Sequence, residues 1–146
     1  MRRLALLPLL AVLAACGGGG GSGELSREEY TKRANAICAE AEQTLDALGG
    51  FKSFDELAKE MEAGRDAMLK AARDLRALTP PVALRAQHAR LVDLQEQTAD
   101  VAQRISAAAA EDDTLEMQTQ AERADKLTIS SNQTARKLKL DECVAG

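Results

Sequence analysis

Three short motifs in this chain predict where helices begin. Each has a capping residue, serine or aspartate, followed three residues later by glutamate: Ser26–Glu29, Ser53–Glu56 and Asp113–Glu116. The side chain of the first residue accepts a hydrogen bond from the backbone amide of the last, which satisfies a donor at the start of a helix. After each motif, apolar side chains recur every three or four positions, the spacing of one helix face. The sequence therefore predicts amphipathic helices that bury these faces against one another.

Helix-breaking residues separate the predicted helices. The pair Gly49-Gly50 ends the first, since glycine is common just past a helix C-terminus. The pair Pro80-Pro81 ends the second and lets a third begin near Pro81 or Val82, because proline disfavours helix in the residue before it and starts helices well. No segment shows the alternating pattern of a β-strand. Four helices of about 23 to 30 residues with short connections predict an all-α, antiparallel four-helix bundle.

The predicted helix faces differ in the size of their side chains. The second helix has the most regular face, formed by Phe54, Leu57, Met61, Gly64, Met68, Ala71, Leu75 and Leu78. The fourth has smaller side chains, namely Met117, Ala121, Ala124, Leu127, Ser131, Ala135 and Leu138. Small side chains bury less apolar area. We therefore expect the fourth helix to be the least well packed, with amides that exchange faster over residues 114–135 than over residues 54–78.

The N-terminal segment has the order of a secretory signal. A positive start, Arg2-Arg3, precedes an apolar run from Leu4 to Leu13, and Cys16 follows two alanines. The run is shorter than the roughly 20 residues of a transmembrane helix. The segment resembles a bacterial lipoprotein signal, whose cysteine is diacylated on sulfur and becomes the new N-terminus. This resemblance makes Cys16 the predicted lipidation site, whereas an ordinary secretory signal would leave Cys16 as a free thiol.

This order predicts three parts of the chain. They are a lipoprotein signal peptide over residues 1–15, a lipidated cysteine with a glycine-rich linker over residues 16–25, and a helical domain over residues 26–146. The seven residues 17–23 span about 15 Å root-mean-square as a flexible chain. We expect the domain at the cell membrane, held by its lipid and facing the extracytoplasmic side.

Two further cysteines, Cys38 and Cys143, form an even pair once Cys16 carries lipid. Disulfides persist in the oxidising space outside the cytoplasm, so a Cys38–Cys143 bond is predicted. The alternative is two unrelated buried thiols. Because Cys38 lies in the middle of the first helix, the bond requires residues 139–143 to turn back along the bundle, or the fourth helix to end early.

Composition excludes two classes of partner. Removal of the signal would leave 17 basic and 23 acidic residues, a net charge of −6, and nucleic-acid binding needs a basic surface. The chain has only three aromatic residues, Tyr30, Phe51 and Phe54. Sugar-binding and base-stacking surfaces are built from aromatic rings. We expect no nucleic-acid partner.

Candidate catalytic and metal-binding residues are few. His88 is the only histidine, at the edge of its helix face, and the pattern predicts a boundary side chain with one hydrogen bond. Zinc sites and di-iron bundles need several histidine or cysteine ligands or Glu-x-x-His pairs, which are absent from the sequence once the cysteines are assigned. Met61, Met68 and His88 lie on adjacent predicted helices, and a haem carrier would use such residues. Methionines at this spacing more often fill a core.

Both ends of the expected mature chain resemble a family. The segments Ser26–Tyr30 and Arg33–Cys38, and the final pattern Ala-x-x-Leu-x-Leu-x-x-Cys over Ala135–Cys143, resemble small helical secreted proteins and lipoproteins of actinobacteria. The resemblance supports the Cys38–Cys143 pairing and implies no catalytic residue.

These observations lead to a non-enzymatic expectation. We expect a membrane-anchored extracytoplasmic lipoprotein that acts as an envelope interaction or structural module, with an envelope protein as its partner and no cofactor. The alternative is a carrier of a small molecule, metal or haem that uses a cavity in the bundle.

Overall fold

Helices account for most of residues 23–145, the part of the chain that the computed structural model describes. These residues form four α-helices and two short 3-10 helices, and they contain no β-strand. The α-helices are α1 (Arg27–Asp46), α2 (Phe54–Arg76), α3 (Arg85–Ala110) and α4 (Thr114–Leu138), and the 3-10 helices are Val82–Leu84 and Asp141–Cys143. The predicted signal peptide and Cys16 lie outside the described residues.

All three predicted capping motifs form. The side-chain oxygens of Ser26, Ser53 and Asp113 accept hydrogen bonds from the backbone amides three residues later, at 3.1, 3.2 and 3.0 Å respectively. α3 has no side-chain cap. It follows Pro81 through a single 3-10 turn, in which the Leu84 amide donates to the Pro81 carbonyl at 2.8 Å. The helix starts were therefore readable from the sequence.

The helices pack in chain order, so that each lies against the next. α2 and α3 share the most extensive interface, α4 packs along α3, and α1 packs on α2. Direct contact between α1 and α4 is marginal at most, and the 3-10 helix Asp141–Cys143 contacts both. The predicted all-α four-helix bundle is confirmed, with its ring of helices open between α1 and α4.

The core is concentrated at one end of the bundle, where α1 and α3 begin and α2 and α4 end. Its largest fully buried members are Tyr30, Leu75, Leu91, Leu138 and Leu140. A smaller cluster of Leu94, Val101 and Leu127 holds α3 to α4 further along. Apolar burial stabilises by about 25 cal/mol per Å². The end of the bundle that carries the larger cluster is therefore the best-packed part of the fold.

At the opposite end of the bundle, where α2 and α4 begin, α1 does not pack against the other helices. Leu45 and Leu48, at the end of α1, lie beside Gly64, ten residues after the start of α2. Ten residues of helix are about 15 Å. α2 and α4 therefore extend past α1, which explains why Phe54 is 38 % exposed and Ala121 is also exposed although both were predicted on buried faces.

Burial places the least packed segment in α1 rather than in α4. The buried residues of α1 are Tyr30, Ala34 and Cys38, and no later residue of the helix is buried. In α4, by contrast, buried positions continue from Gln120 to Leu138. Residues 39–46 of α1 are the longest run without a buried residue in the four helices. The expected faster exchange of residues 114–135 than of residues 54–78 stays a prediction.

We therefore predict that amides of residues 40–46 exchange with solvent faster than those of residues 124–138. Local opening costs little free energy where few apolar contacts are buried. The last two turns of α3, residues 104–110, are the matched control for fraying, since Ala108 and Ala109 are buried there. Native-state hydrogen exchange measures all three segments. Protection of residues 40–46 equal to that of the control would contradict this packing argument.

Candidate binding groove

The C-terminal tail reverses direction immediately after α4. Lys139 adopts the left-handed conformation, with φ 61° and ψ 46°. The Leu140 amide then donates to the Ala135 carbonyl at 3.0 Å, and the Leu140 side chain is fully buried. This is the hydrogen-bond pattern of a Schellman motif, with lysine where glycine is more usual. The reversal that the predicted cysteine pairing required of residues 139–143 is present.

The predicted disulfide joins Cys38 to Cys143. It links the middle of α1 to the tail across a sequence separation of 105 residues, with Cα atoms 5.0 Å apart. In the chain-entropy model a closed loop of this length stabilises the fold by about 4.7 kcal/mol. The bond therefore fastens α1 to the segment that continues from α4.

Two asparagine side chains hold the tail on either side of the disulfide. The Asn35 side-chain oxygen, on α1, accepts from the Glu142 amide at 3.3 Å. On α4, the Asn132 side chain both accepts from the Ala145 amide at 2.9 Å and donates to the Ala145 carbonyl at 3.0 Å. The tail thus bridges α1 and α4. Sequence reasoning assigned neither asparagine this role, because a polar residue on a helix gives no sign of a distant backbone partner.

A groove with a cavity of about 300 Å³ opens between α1 and α4, next to this tail. The second half of α1 forms one wall and α4 forms the other, with side chains of α2 and α3 at the base. The apolar part of its lining comes from Ala41, Leu45, Met68, Ala71, Val144 and the disulfide. The groove exists because α1 and α4 are bridged by the tail instead of packing directly on each other.

The rim of the groove is acidic. Glu42, Asp46 and Glu142 contribute to its lining, and no lysine, arginine or histidine does. Within residues 23–145, none of the ion pairs includes any of these three carboxylates. The neutral polar groups Gln95, Thr98, Thr128, Ser131 and Asn132 complete the lining. The groove therefore combines an apolar base with negative charge at its edge.

His88 lies in the core and not at its boundary, which corrects the expectation from the sequence. It is only 6 % exposed, and its Nδ1 lies 3.0 Å from the Tyr30 hydroxyl oxygen. The two rings meet edge to face, 5.5 Å apart. The residue is buried because the first turn of α1 covers the start of α3 with Tyr30.

Burial changes the acidity of both members of this pair. Loss of hydration lowers the pKa of His88, and the backbone carbonyl of Leu75 opposes the effect in part. Burial also raises the pKa of Tyr30 to about 12. Both shifts favour the neutral forms, which suits a structural hydrogen bond between a hydroxyl and an imidazole.

The residues considered for haem do not come together. His88 packs near Leu75, whereas Met68 lies about two turns earlier on α2 and lines the groove. Met61 lies two further turns away. Over residues 23–145 there is no group of three or more histidine, cysteine, aspartate or glutamate side chains placed to hold a metal ion.

None of the helices that the structure describes has the length and apolar character needed to cross a membrane. No family model, curated protein or solved structure matches this chain. Function must therefore be argued from the groove and its surroundings.

The Tyr30–His88 pair generates a prediction for stability against pH. Since the pKa of His88 is lowered in the folded protein, the unfolded chain binds a proton first as the pH falls. The contribution of His88 to stability should be complete above about pH 6.5 and should decrease below it. Thermal unfolding from pH 7.5 to 5 measures the effect. His88→Gln keeps a hydrogen-bond acceptor for Tyr30, and its melting temperature should depend less on pH than that of the parent. Equal pH dependence of the two proteins would contradict the assignment of this effect to His88.

Proposed function

We propose that this protein is a membrane-anchored extracytoplasmic lipoprotein that acts as a non-enzymatic envelope interaction module. Cys16 carries the lipid, the chain between Cys16 and Glu24 forms the tether, and a partner protein binds in the groove between α1 and α4. The groove is the observation that carries the proposal. Segments of partner proteins bind in apolar grooves, and this groove has an apolar lining with polar groups at its edge.

The point where the tether enters the domain favours an accessible groove. The Leu25 amide donates to the Thr79 carbonyl, and Glu24 forms an ion pair with Arg85, so the chain is fixed at the end of the bundle where α1 begins. The groove starts at Cys38, about 18 Å further along α1. A membrane beside the tether would therefore not cover it.

Several features support a non-enzymatic role. The only histidine is buried in the core against Tyr30. The two cysteines of the groove are joined to each other, so neither is a free thiol that could act as a nucleophile. The excess of acidic residues in the expected mature chain also argues against a nucleic-acid partner.

The alternative is a carrier, and the size of the cavity favours a small molecule as its cargo. A volume of about 300 Å³ lies at the lower end of the range for such sites. A haem or metal carrier is less well supported, because Met61, Met68 and His88 are separated. Absorbance in the visible region would favour a haem carrier, and bound metal after purification would favour a metal carrier.

Site-specific crosslinking in cells tests the interaction module. A photoreactive residue replaces Thr128, which lines the groove, or Gln133, which is exposed on α4 outside it. We expect a crosslink to one envelope protein from position 128 only, with reciprocal capture by that protein. Equal capture at both positions, or none at position 128, would contradict the proposal.

The substitution Cys16→Ser, expressed in the same cells, tests the proposed lipid anchor. Stable anchoring takes two acyl chains or one chain and a second signal, so loss of the lipid should release the protein from membranes. Membrane fractionation gives the readout. A Ser variant that stays with membranes as firmly as the parent would contradict lipidation without bearing on the groove.

A further inference from the structure

We infer that the groove between α1 and α4 receives a basic, amphipathic peptide segment of the partner, an inference that rests on the proposed function and specifies its ligand. The segment would place apolar side chains on the base of the groove and lysine or arginine side chains at its rim. Charge, apolar surface and length of the groove each support this class of ligand.

The negative charge at the rim of the groove predicts that the ligand is positively charged. Elsewhere on the same helix, Glu40 has a cation beside it, because Lys70 lies 3.0 Å from its carboxylate. On the groove side of α1, Glu42 and Asp46, which is one turn beyond Glu42, have no such partner among the described residues, and neither does Glu142 on the tail. Carboxylates that line the same groove without a cation attract positive charge. The rim is therefore complementary to a basic segment and unfavourable for an acidic one.

The α1 wall and the α2 side chains at the base give the groove an apolar surface that the ligand should match. Ala41, Leu45 and Ala71 contribute aliphatic surface, and Met68 contributes a flexible thioether. Methionine adapts its shape to different apolar side chains and is common at helix-binding surfaces. A simple hydrophilic cation would leave this surface exposed to water, so the ligand should be amphipathic.

Length and shape favour a peptide segment. The α1 wall runs from Cys38 to Asp46, about 12 Å or two helical turns. The opposite wall carries the short side chains of Thr128 and Ser131, which leave room for a backbone to lie along the groove. An amphipathic helix binds such a groove through apolar side chains at positions i, i+3, i+4 and i+7. Two turns present three or four of these anchors.

Peptide binding to the lipidated protein in phosphatidylcholine vesicles tests the inference. The probes are a labelled 14-residue helical peptide of leucine and lysine and the same peptide with glutamate for lysine, with empty vesicles subtracted. The groove variant is E42Q/D46N/E142Q. The matched control is E62Q/E122Q/D125N, which removes three exposed carboxylates outside the groove that form no ion pair among the described residues.

We expect the lysine peptide to bind at least tenfold more tightly than the glutamate peptide. The groove variant should weaken its binding about tenfold, or about 1.4 kcal/mol, since it removes all three rim charges together. The control variant should change it less than twofold. Ala41→Phe, which narrows the groove from the α1 wall, should also weaken binding, whereas Ala63→Phe on the exposed face of α2 should not.

Three results would overturn the inference. They are equal binding of the two peptides, equal weakening by both triple variants, and tighter binding of dodecyltrimethylammonium than of the lysine peptide. The last result would assign the groove to a small amphipathic cation. If crosslinking from position 128 still captures a partner while the peptides fail, the interaction module stands and only the chemistry of its ligand is wrong.

Discussion

The disulfide between Cys38 and Cys143 is the constraint on which the arrangement of the four helices depends. α2, α3 and α4 form a continuous series of packed neighbours, but α1 has α2 on one side and an open seam on the other. Among the described residues, the tail is the main connection across that seam, and it is fixed by the disulfide to α1 and by Asn132 to α4. Without the covalent bond, α1 would be held in the bundle by the buried residues of its first three turns and by its contacts with α2. After Cys38, the helix contributes no buried residue to the core.

The same seam provides the feature most suited to binding. A closed bundle would bury Ala41, Leu45 and Met68 between packed helices, whereas here these side chains line a groove that solvent can enter. The covalent bridge has a second consequence, because it ties the α1 wall to the tail that continues from α4 and so favours a preformed groove. Ligands that meet a preformed site do not have to supply the free energy of ordering it. A preformed groove therefore suits the proposed role of a module that binds a partner protein.

Much of this fold was predictable because its signals are local. The caps at Ser26, Ser53 and Asp113 and the spacing of apolar residues require no knowledge of the rest of the chain, and an even pair of cysteines suggested the bond. The open seam and the burial of His88 were not predictable, since both depend on how far one helix extends along another. α1 stops beside Gly64, and no property of its own sequence shows what that leaves uncovered.

The most direct test of the central claim is the distance between α1 and α4 in the oxidised and the reduced protein. Spin labels on genetically encoded non-cysteine residues at exposed positions 43 and 133 report the width of the seam by double electron–electron resonance. A second pair, at positions 59 on α2 and 103 on α3, serves as the control. We predict one narrow α1–α4 distance in the oxidised protein, which broadens and lengthens on reduction while the control pair is unchanged. A narrow α1–α4 distance that survives complete reduction would contradict the claim that the disulfide sets the groove.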